Sequence, residues 1–302
     1  MEKIRGIIYA CLSAATFGMI PLFANTAMQE GVNNDTILVY RYMIAAIVYG
    51  IYLLFRKTDL RIGKKACVEL VWAGVGGYGI TAYFLFLSYR YMPTGIATSI
   101  HYLYPVVVAI FMSLFYKQHL SLLVKGAIGL AIVGVYFMSW SGGEIKWAGL
   151  VFAILTTFTY GTYIVALNRP LLRSMNPDVL TFYVLLFTAL FYWIAAGVKG
   201  TFTLNYTPHF LFDMSMLGIL STVISARLLV AAVARIGSVA TSVLGTLEPI
   251  TAIIVGVYAF HEELGIKNFV GLLLVLMSVL IVILSMNERH RKSKERSANI
   301  KN

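Results

Sequence analysis

An apolar stretch near the start of the chain, GIIYACLSAATFG at residues 6–18, returns 143 residues later as GLVFAILTTFTYG at residues 149–161. At the same offset, the polar run NND at residues 33–35 falls on NPD at residues 176–178. Apolar helices share letters by chance, but a constant offset that also matches glycine, asparagine and aspartate is harder to obtain that way. The sequence therefore indicates an internal repeat with two halves.

The offset continues into a second matched region further along each half. ATSI at residues 97–100 falls on ATSV at residues 240–243, and one inserted residue then places Pro105 opposite Pro249. A proline inside a helix removes the hydrogen bond to the carbonyl four residues earlier, which in the first half belongs to His101. We expect a bend in the helix at both prolines.

The composition excludes a soluble enzyme, a disordered chain and a coiled coil. Of the 302 residues, 59% are hydrophobic and 12% are charged, against about 25% charged in a typical soluble domain. A helix needs about 20 apolar residues to cross the hydrocarbon core of a membrane. Ten segments of that kind are predicted, at about residues 5–27, 36–55, 68–88, 93–116, 122–140, 147–167, 178–198, 211–234, 238–260 and 266–286.

The net charge of +11 is explained by orientation in the membrane. With the N-terminus inside, 18 of the 24 Lys and Arg residues fall in cytoplasmic segments and 4 fall in outer links. Cytoplasmic loops of membrane proteins carry such an excess. We therefore expect both termini to be cytoplasmic, in the plasma membrane of a prokaryote, and no nucleic-acid partner.

An odd number of spans in each half determines the topology of the repeat. Five spans per half require the second half to enter the membrane from the opposite side, as in secondary transporters. The predicted fold is an all-α membrane protein of ten transmembrane helices arranged as two inverted-topology five-helix repeats. The repeats cover residues 1–143 and 144–286, and a basic cytoplasmic tail follows at residues 287–302.

The motifs resemble those of the drug/metabolite transporter superfamily, in its EamA branch, over about residues 5–286. The similarity lies in the aromatic-Gly pairs Phe17-Gly18 and Tyr160-Gly161, in Arg41 near the start of the second span, and in the Leu247-Glu248-Pro249 triplet. The first half has Tyr104-Pro105 and Gln118-His119 where acidic residues are common in the family, so it departs from the family pattern there. The resemblance implies export of amino acids, other metabolites or drugs, with proton coupling in many members.

Apart from charges in the first four residues of a span, three charged residues lie within the predicted spans. Each is a coupling or gating candidate because charge inside a membrane is expensive. Glu248 and Arg227 have similar predicted depths, so they could pair across adjacent helices. Such a pair would either lock the second half together or change protonation as a gate moves. Arg41 could reach water, pair with Asp35 or bind a substrate carboxylate.

Polar and aromatic residues near the predicted midplane are candidates for contact with substrate. Tyrosine offers an apolar face and a hydroxyl, and the neighbouring glycines allow close helix approach or bending. Ordinary packing is the alternative for each of them. The candidates are Asn25, Tyr78, Tyr83, His101, Tyr104, Tyr160, Tyr163 and Asn168.

The predicted function is secondary active transport of a small organic metabolite, with export as the direction that the resemblance implies. No cysteine or histidine spacing typical of zinc occurs, nor any common nucleotide motif, so no cofactor or metal is expected. The partners are a small-molecule substrate, the lipid bilayer and, in a coupled mechanism, protons. The sequence does not determine the oligomeric state, and it is compatible with a monomer. The alternatives are an uncoupled facilitative carrier or channel-like permease and, third, an intramembrane enzyme acting on lipid.

Overall fold

The computed structural model describes most of the chain as helices. The described residues are 2–88, 91, 97, 100–138, 146–204, 207–248, 250–251, 254–255, 258, 265–267, 269–271, 273–278, 280–281 and 284, without the side chains of residues 21, 25, 135 and 138. Within these ranges the regular elements are helical and none is a strand. The predicted tail at residues 287–302 lies outside them. The all-helical prediction is confirmed.

The first half consists of seven α-helices and one π-helix among the described residues. Their bounds are α1 Glu2–Phe17, α2 Ile20–Gln29, α3 Asn34–Phe55, α4 Lys64–Val71, π1 Trp72–Gly79, α5 Ile80–Ser88, α6 Tyr104–Tyr116 and α7 Leu122–Met138. The second half consists of α8 Trp147–Ala166, α9 Pro170–Ser174, α10 Pro177–Lys199, α11 Pro208–Gly218, π2 Ile219–Ile224, α12 Ser225–Ile236 and α13 Ser238–Gly245. A further apolar helix, α14, covers Phe269–Ser278.

Six helical segments are long and apolar enough to cross a membrane. They are Glu2–Gln29, Asn34–Phe55, Lys64–Ser88, Trp147–Ala166, Pro177–Lys199 and Pro208–Ile236. They coincide with the first three predicted spans of each half. The last two predicted spans of each half contain the shorter helices α6, α7, α13 and α14. The structure thus shows a multi-pass membrane protein, and the count of ten spans stays a prediction.

The repeat is visible in how equivalent helices begin. Asn33 caps α3 by accepting a hydrogen bond from the Thr36 backbone N–H at 2.8 Å. At the repeat-related position, Asn176 caps α10 by accepting from the Asp178 N–H at 2.9 Å. An asparagine cap satisfies an N–H group that has no partner within the helix. The two matched asparagines therefore start two matched helices.

Both halves also carry a π-helix at overlapping positions of the third span. In π1 the Gly74 carbonyl accepts from the Thr188 hydroxyl at 2.8 Å, and the Gly79 carbonyl accepts from the Tyr192 hydroxyl at 2.7 Å. In π2 the Thr222 hydroxyl donates to the Leu217 carbonyl five residues earlier, at 2.8 Å. The wider π turn leaves carbonyls free for side chains from another helix, and π-bulges are frequent at functional sites.

The two halves pack around each other in matched pairs of helices. The α1 helix packs on α12 of the second half, and the equivalent α8 packs on α5 of the first half. Likewise α6 contacts α8 while α13 contacts α1, and α3 lies against α10. Each contact between a first-half helix and a second-half helix thus has a counterpart between the repeat equivalents of the same two helices. This is the two-repeat architecture expected from the sequence offset.

Candidate functional site

Two helices break at repeat-related positions. After His101 the chain makes a turn at Tyr102 and Leu103, and α6 then starts at Tyr104 with Pro105 in its first turn. In the second half α13 ends at Gly245, a turn follows at residues 246–247, and Glu248 is helical again. Proline fits the first turn of a helix because the N–H it lacks would have no partner there. Pro249 lies outside the described residues.

The glycines of the aromatic-Gly pairs bring the first span of each half against these breaks. A Cβ on Gly161 would lie 2.8 Å from the Val107 Cγ1 of the first half. A Cβ on Gly18 would lie 2.6 Å from the Thr251 Cβ of the second half. Val107 and Thr251 are themselves repeat-related once the inserted residue is counted. Glycine is thus required at both positions for close approach between the halves.

A chain of ring contacts links α3, π1, α8, α10 and the broken helix of the first half. We refer to this set as the central aromatic cluster. The rings follow one another in the order Tyr192, Tyr42, Tyr78, Tyr163, Tyr160, Tyr104 and His101. The distances between the centroids of consecutive rings are 5.2 Å, 5.9 Å, 5.2 Å, 5.9 Å, 4.7 Å and 5.6 Å. Distances of 4.5–7 Å are typical of favourable ring pairs. Both halves contribute rings to the cluster.

The cluster contains five of the eight candidates for substrate contact and extends them by two tyrosines. Tyr78, His101, Tyr104, Tyr160 and Tyr163 were expected from the sequence, and Tyr42 and Tyr192 were missed. The Tyr163 hydroxyl is buried without a hydrogen-bond partner among the described residues. A buried hydroxyl of this kind is available to a bound molecule, since leaving it unpaired is costly.

His101 is buried at one end of the cluster, and its hydrogen bond determines which ring nitrogen carries the proton. The Thr156 hydroxyl donates to the Ala153 carbonyl at 2.6 Å and lies 3.1 Å from His101 Nδ1. Because a hydroxyl has one proton to give, we assign the His101 proton to Nδ1, which donates to Thr156. The lone pair of Nε2 is then available beside the rings of Tyr104 and Tyr160.

Arg41 is buried, with 4% of its surface exposed, at the other end of the cluster. Its Nε donates to the Thr222 hydroxyl at 2.8 Å, and its Nη2 lies 3.5 Å from the Ser221 carbonyl, both in π2. Its guanidinium carbon lies 5.0 Å from the centroid of the Tyr42 ring. The expectations that Arg41 reaches water or pairs with Asp35 are wrong, because Asp35 pairs elsewhere and π2 encloses the guanidinium.

Glu248 lies at the break of the second half and interacts with both ends of the cluster. Its carboxylate interacts with the Tyr102 hydroxyl at the break of the first half. It also interacts electrostatically with Arg41 and with the hydroxyls of Tyr104 and Tyr160. One acidic and one basic side chain thus lie beside a single aromatic cluster formed by both halves.

Comparison with known proteins finds the same two halves. The model of the EamA-like transporter family matches residues 4–140 and again residues 147–284. The chain belongs to the EamA-like transporter family. Its two matched segments are the two halves between which the cluster lies.

Named relatives of this EamA-like chain are transporters. It is 23% identical over 285 residues to the uncharacterized transporter YcbK of Bacillus subtilis (strain 168), covering 89% of this chain and 90% of the relative. It is also 23% identical over 289 residues to the uncharacterized transporter YcxC of the same organism, covering 92% of each. A solved crystal structure shares its fold, with a TM-score of 0.79 at 16% identity, over 94% of this chain and 98% of the other.

The predicted pairing of Arg227 with Glu248 is wrong. In this EamA-like chain Arg227 Nε forms an ion pair with Asp178, at the start of α10. The Tyr49 hydroxyl of the first half donates to the same Asp178 oxygen at 2.9 Å. Similar depth along two helices does not place two side chains on facing sides, which is why the sequence suggested the wrong partner.

Two further candidates lie outside the cluster. Tyr83 faces Lys199, whose ammonium is 4.7 Å from the ring centroid and 3.3 Å from Asp35. Asn168 donates from its side-chain amide to the Ser238 hydroxyl, which joins the end of α8 to the start of α13. The side chain of Asn25 lies outside the described residues.

No metal centre is present in the described part of the chain. There, no group of three or more His, Cys, Asp or Glu residues lies close enough to hold an ion. The arrangement that remains is a cationic group, an acidic group and neutral ring hydroxyls, which suits binding of a polar organic molecule.

Proposed function

We propose that this protein is a secondary active transporter that exports a small organic metabolite, such as an amino acid, or a drug-like compound. The observation that carries the proposal is the placement of Arg41 and Glu248 on one aromatic cluster formed by both halves. In transporters with inverted repeats, substrate binds near the midplane between the halves, at broken helices. The matched breaks at Tyr102–Leu103 and residues 246–247 have that character.

The proposed topology is ten spans in two inverted repeats, with both termini in the cytoplasm of a prokaryotic cell. Six long apolar helices support three spans in each half, and the basic residues concentrate on one side of the predicted membrane. The α1 helix packs on α12 of the second half, and the equivalent α8 packs on α5 of the first half. This exchange of partners supports an inverted topology of the two repeats. Exchanging the conformations of the two halves would convert an outward-open state into an inward-open one.

The charges at the site favour a substrate that carries both a carboxylate and an ammonium group. Arg41 presents a guanidinium fork that suits a carboxylate, and Glu248 offers an oxygen acceptor for an ammonium. The tyrosine faces between them attract cations through the ring quadrupole. The Tyr163 hydroxyl and the Ser221 hydroxyl, both buried without a partner among the described residues, would gain hydrogen bonds from such a substrate.

Glu248 is the residue through which protons would drive transport. A carboxylate that binds an ammonium in one state can bind a proton in the other, so that substrate and proton compete for it. Glu248 lies at the break of the second half and interacts with Tyr102 at the break of the first half, so a change in its proton state would act on both halves. Without such competition the protein would be an uncoupled facilitative carrier.

Transport by purified protein in liposomes tests the proposal. A panel of radiolabelled amino acids, their amides and their decarboxylated amines would be offered under opposite pH gradients. We expect saturable counterflow of at least one zwitterion and accumulation that reverses with the gradient. Saturable counterflow that ignores the gradient would support the uncoupled carrier. Flux without saturation or counterflow would favour a channel and contradict the proposal.

A further inference from the structure

A groove lies on the opposite side of α6 from the aromatic cluster. It has a volume of about 340 Å³. Its wall on α6 is formed by residues spaced three and four apart, which places them along one side of the helix. The lining residues are Val106, Ala109, Ile110, Ser113, Leu114, Leu120, Lys125 and Ile128.

The lining is suited to a hydrocarbon chain. Six of the eight lining side chains that the structure describes are purely apolar, and Ile110 and Leu114 remain 49% and 68% exposed. From Val106 to Leu114 the α6 wall extends about 12 Å, at 1.5 Å per residue. One leaflet of the hydrocarbon core is about 15 Å deep. The groove therefore matches the depth to which an acyl chain enters the membrane.

The end of the groove at the turn between α6 and α7 is positively charged. Lys125 lies in the first turn of α7 and lines the groove, and the exposed Lys117 ends α6 on the other side of the turn. No carboxylate among the described residues forms an ion pair with either lysine. A basic residue at the membrane surface attracts anionic lipid headgroups.

We propose that this groove binds one acyl chain of an anionic phospholipid whose headgroup contacts Lys125. The apolar wall along α6 holds the chain, and Lys125 at the turn selects the negative headgroup. In the proposed topology this turn is cytoplasmic, so the lipid belongs to the inner leaflet. The groove also adjoins Val243 of α13 through the packing of Ala109 and Ile128, so a bound lipid would lie next to the second half.

Native mass spectrometry of the full chain in detergent tests the proposal. Phosphatidylglycerol and phosphatidylcholine with identical acyl chains are added in equal amounts, and the ratio of the two bound lipids is measured. One lysine at a lipid surface corresponds to a preference of about fivefold. We expect the wild type to prefer phosphatidylglycerol by about that factor and Lys125→Gln to lose the preference. Lys65→Gln is the matched control, because Lys65 is also exposed in the first turn of a helix.

A second variant tests the acyl chain separately from the headgroup. Ser113 is exposed on the groove wall, so Ser113→Trp fills the groove without entering the core and should reduce binding of both lipids. The proposal is overturned if Lys125→Gln keeps the wild-type ratio, or if Ser113→Trp leaves the bound amounts unchanged. Displacement of the lipid by excess inorganic phosphate would also overturn it, because a site for phosphate alone needs no acyl chain.

Discussion

Asp35 and Asp178 occupy equivalent positions in the first turns of α3 and α10, yet they lie at opposite ends of the antiparallel pair that these helices form. Asp35 pairs with Lys199 at the last turn of α10, whereas Asp178 pairs with Arg227 of α12. Each carboxylate also accepts a hydroxyl hydrogen bond from the other half or its loop, from Thr201 and Tyr49 respectively. The repeat therefore places one ionic contact at each end of the same helix pair.

Neutralising either carboxylate should loosen only the end of the α3–α10 pair at which that carboxylate lies. Partly exposed ion pairs contribute about 0–1 kcal/mol, so Asp35→Asn and Asp178→Asn should each shift the balance of open and closed states up to about fivefold. Pulsed electron paramagnetic resonance on spin-label pairs across each end measures this. We expect Asp35→Asn to widen the distances at its own end and Asp178→Asn to widen those at the other. A change at both ends in either variant would contradict the independence of the two contacts.

Replacing Glu248 with glutamine should remove proton-driven transport while leaving the fold intact. Glutamine keeps the shape and the hydrogen-bonding capacity of the side chain but cannot exchange a proton. We expect Glu248→Gln to lose accumulation under a pH gradient in liposomes. Asp213→Asn is the control, since Asp213 bonds to Thr26 at 2.6 Å without touching the aromatic cluster. Normal gradient-dependent transport by Glu248→Gln would rule out the coupling role.

Changing Arg41 should weaken recognition of a substrate carboxylate. Lysine keeps the positive charge but lacks the planar fork, so Arg41→Lys should raise the apparent KM about tenfold, as expected for a lost hydrogen bond to a charged group. Thr222→Val removes the partner of Arg41 Nε and should have a smaller effect in the same direction. The specific measurement is discrimination between an amino acid and its amide. If Arg41→Lys retains full discrimination, Arg41 does not bind the carboxylate.

Adding a methyl group at the motif glycines should separate the halves. Gly161→Ala and Gly18→Ala place a Cβ closer to Val107 and Thr251 than real contacts allow, and overpacking typically costs about 1–3 kcal/mol. We expect lower thermal unfolding temperatures and reduced transport in both variants. Gly197→Ala is the matched control in α10, because a Cβ there meets no described atom within 4 Å, and it should stabilise by about 0.5–1 kcal/mol. Equal stability of all three variants would contradict the close approach.

The repeat was accessible from sequence because matched residues keep a constant spacing along the chain. That spacing located the equivalent starts of α3 and α10 and the equivalent breaks near His101 and Glu248. The π-helices were not predicted, since they depend on carbonyls finding donors such as Thr188 and Tyr192 on another helix. Glycines at 74, 76, 77 and 79 were the signal that π1 is unusual.

The partners of side chains within the site were the least predictable part. Depth along a helix follows from residue number, but the direction in which a side chain points depends on how the helices are rotated against each other. This is why Arg227 was matched to Glu248 and why Tyr42 was overlooked beside Arg41. With 19 tyrosines in the chain, only tertiary contacts distinguish those of the cluster from those that pack elsewhere.

The packing of first-half helices on second-half helices also determines when each helix can find its partner during synthesis. The α1 helix packs on α12, which begins at Ser225, so α1 enters the membrane long before its partner is synthesised. At about 5–20 residues per second, the delay is roughly 10 to 40 s. During this interval the face of α1 that carries Gly6, which packs against Ile236 of α12, is open to other helices in the membrane. A first half made without the second would keep that face exposed permanently, since its covering helix belongs to the other half.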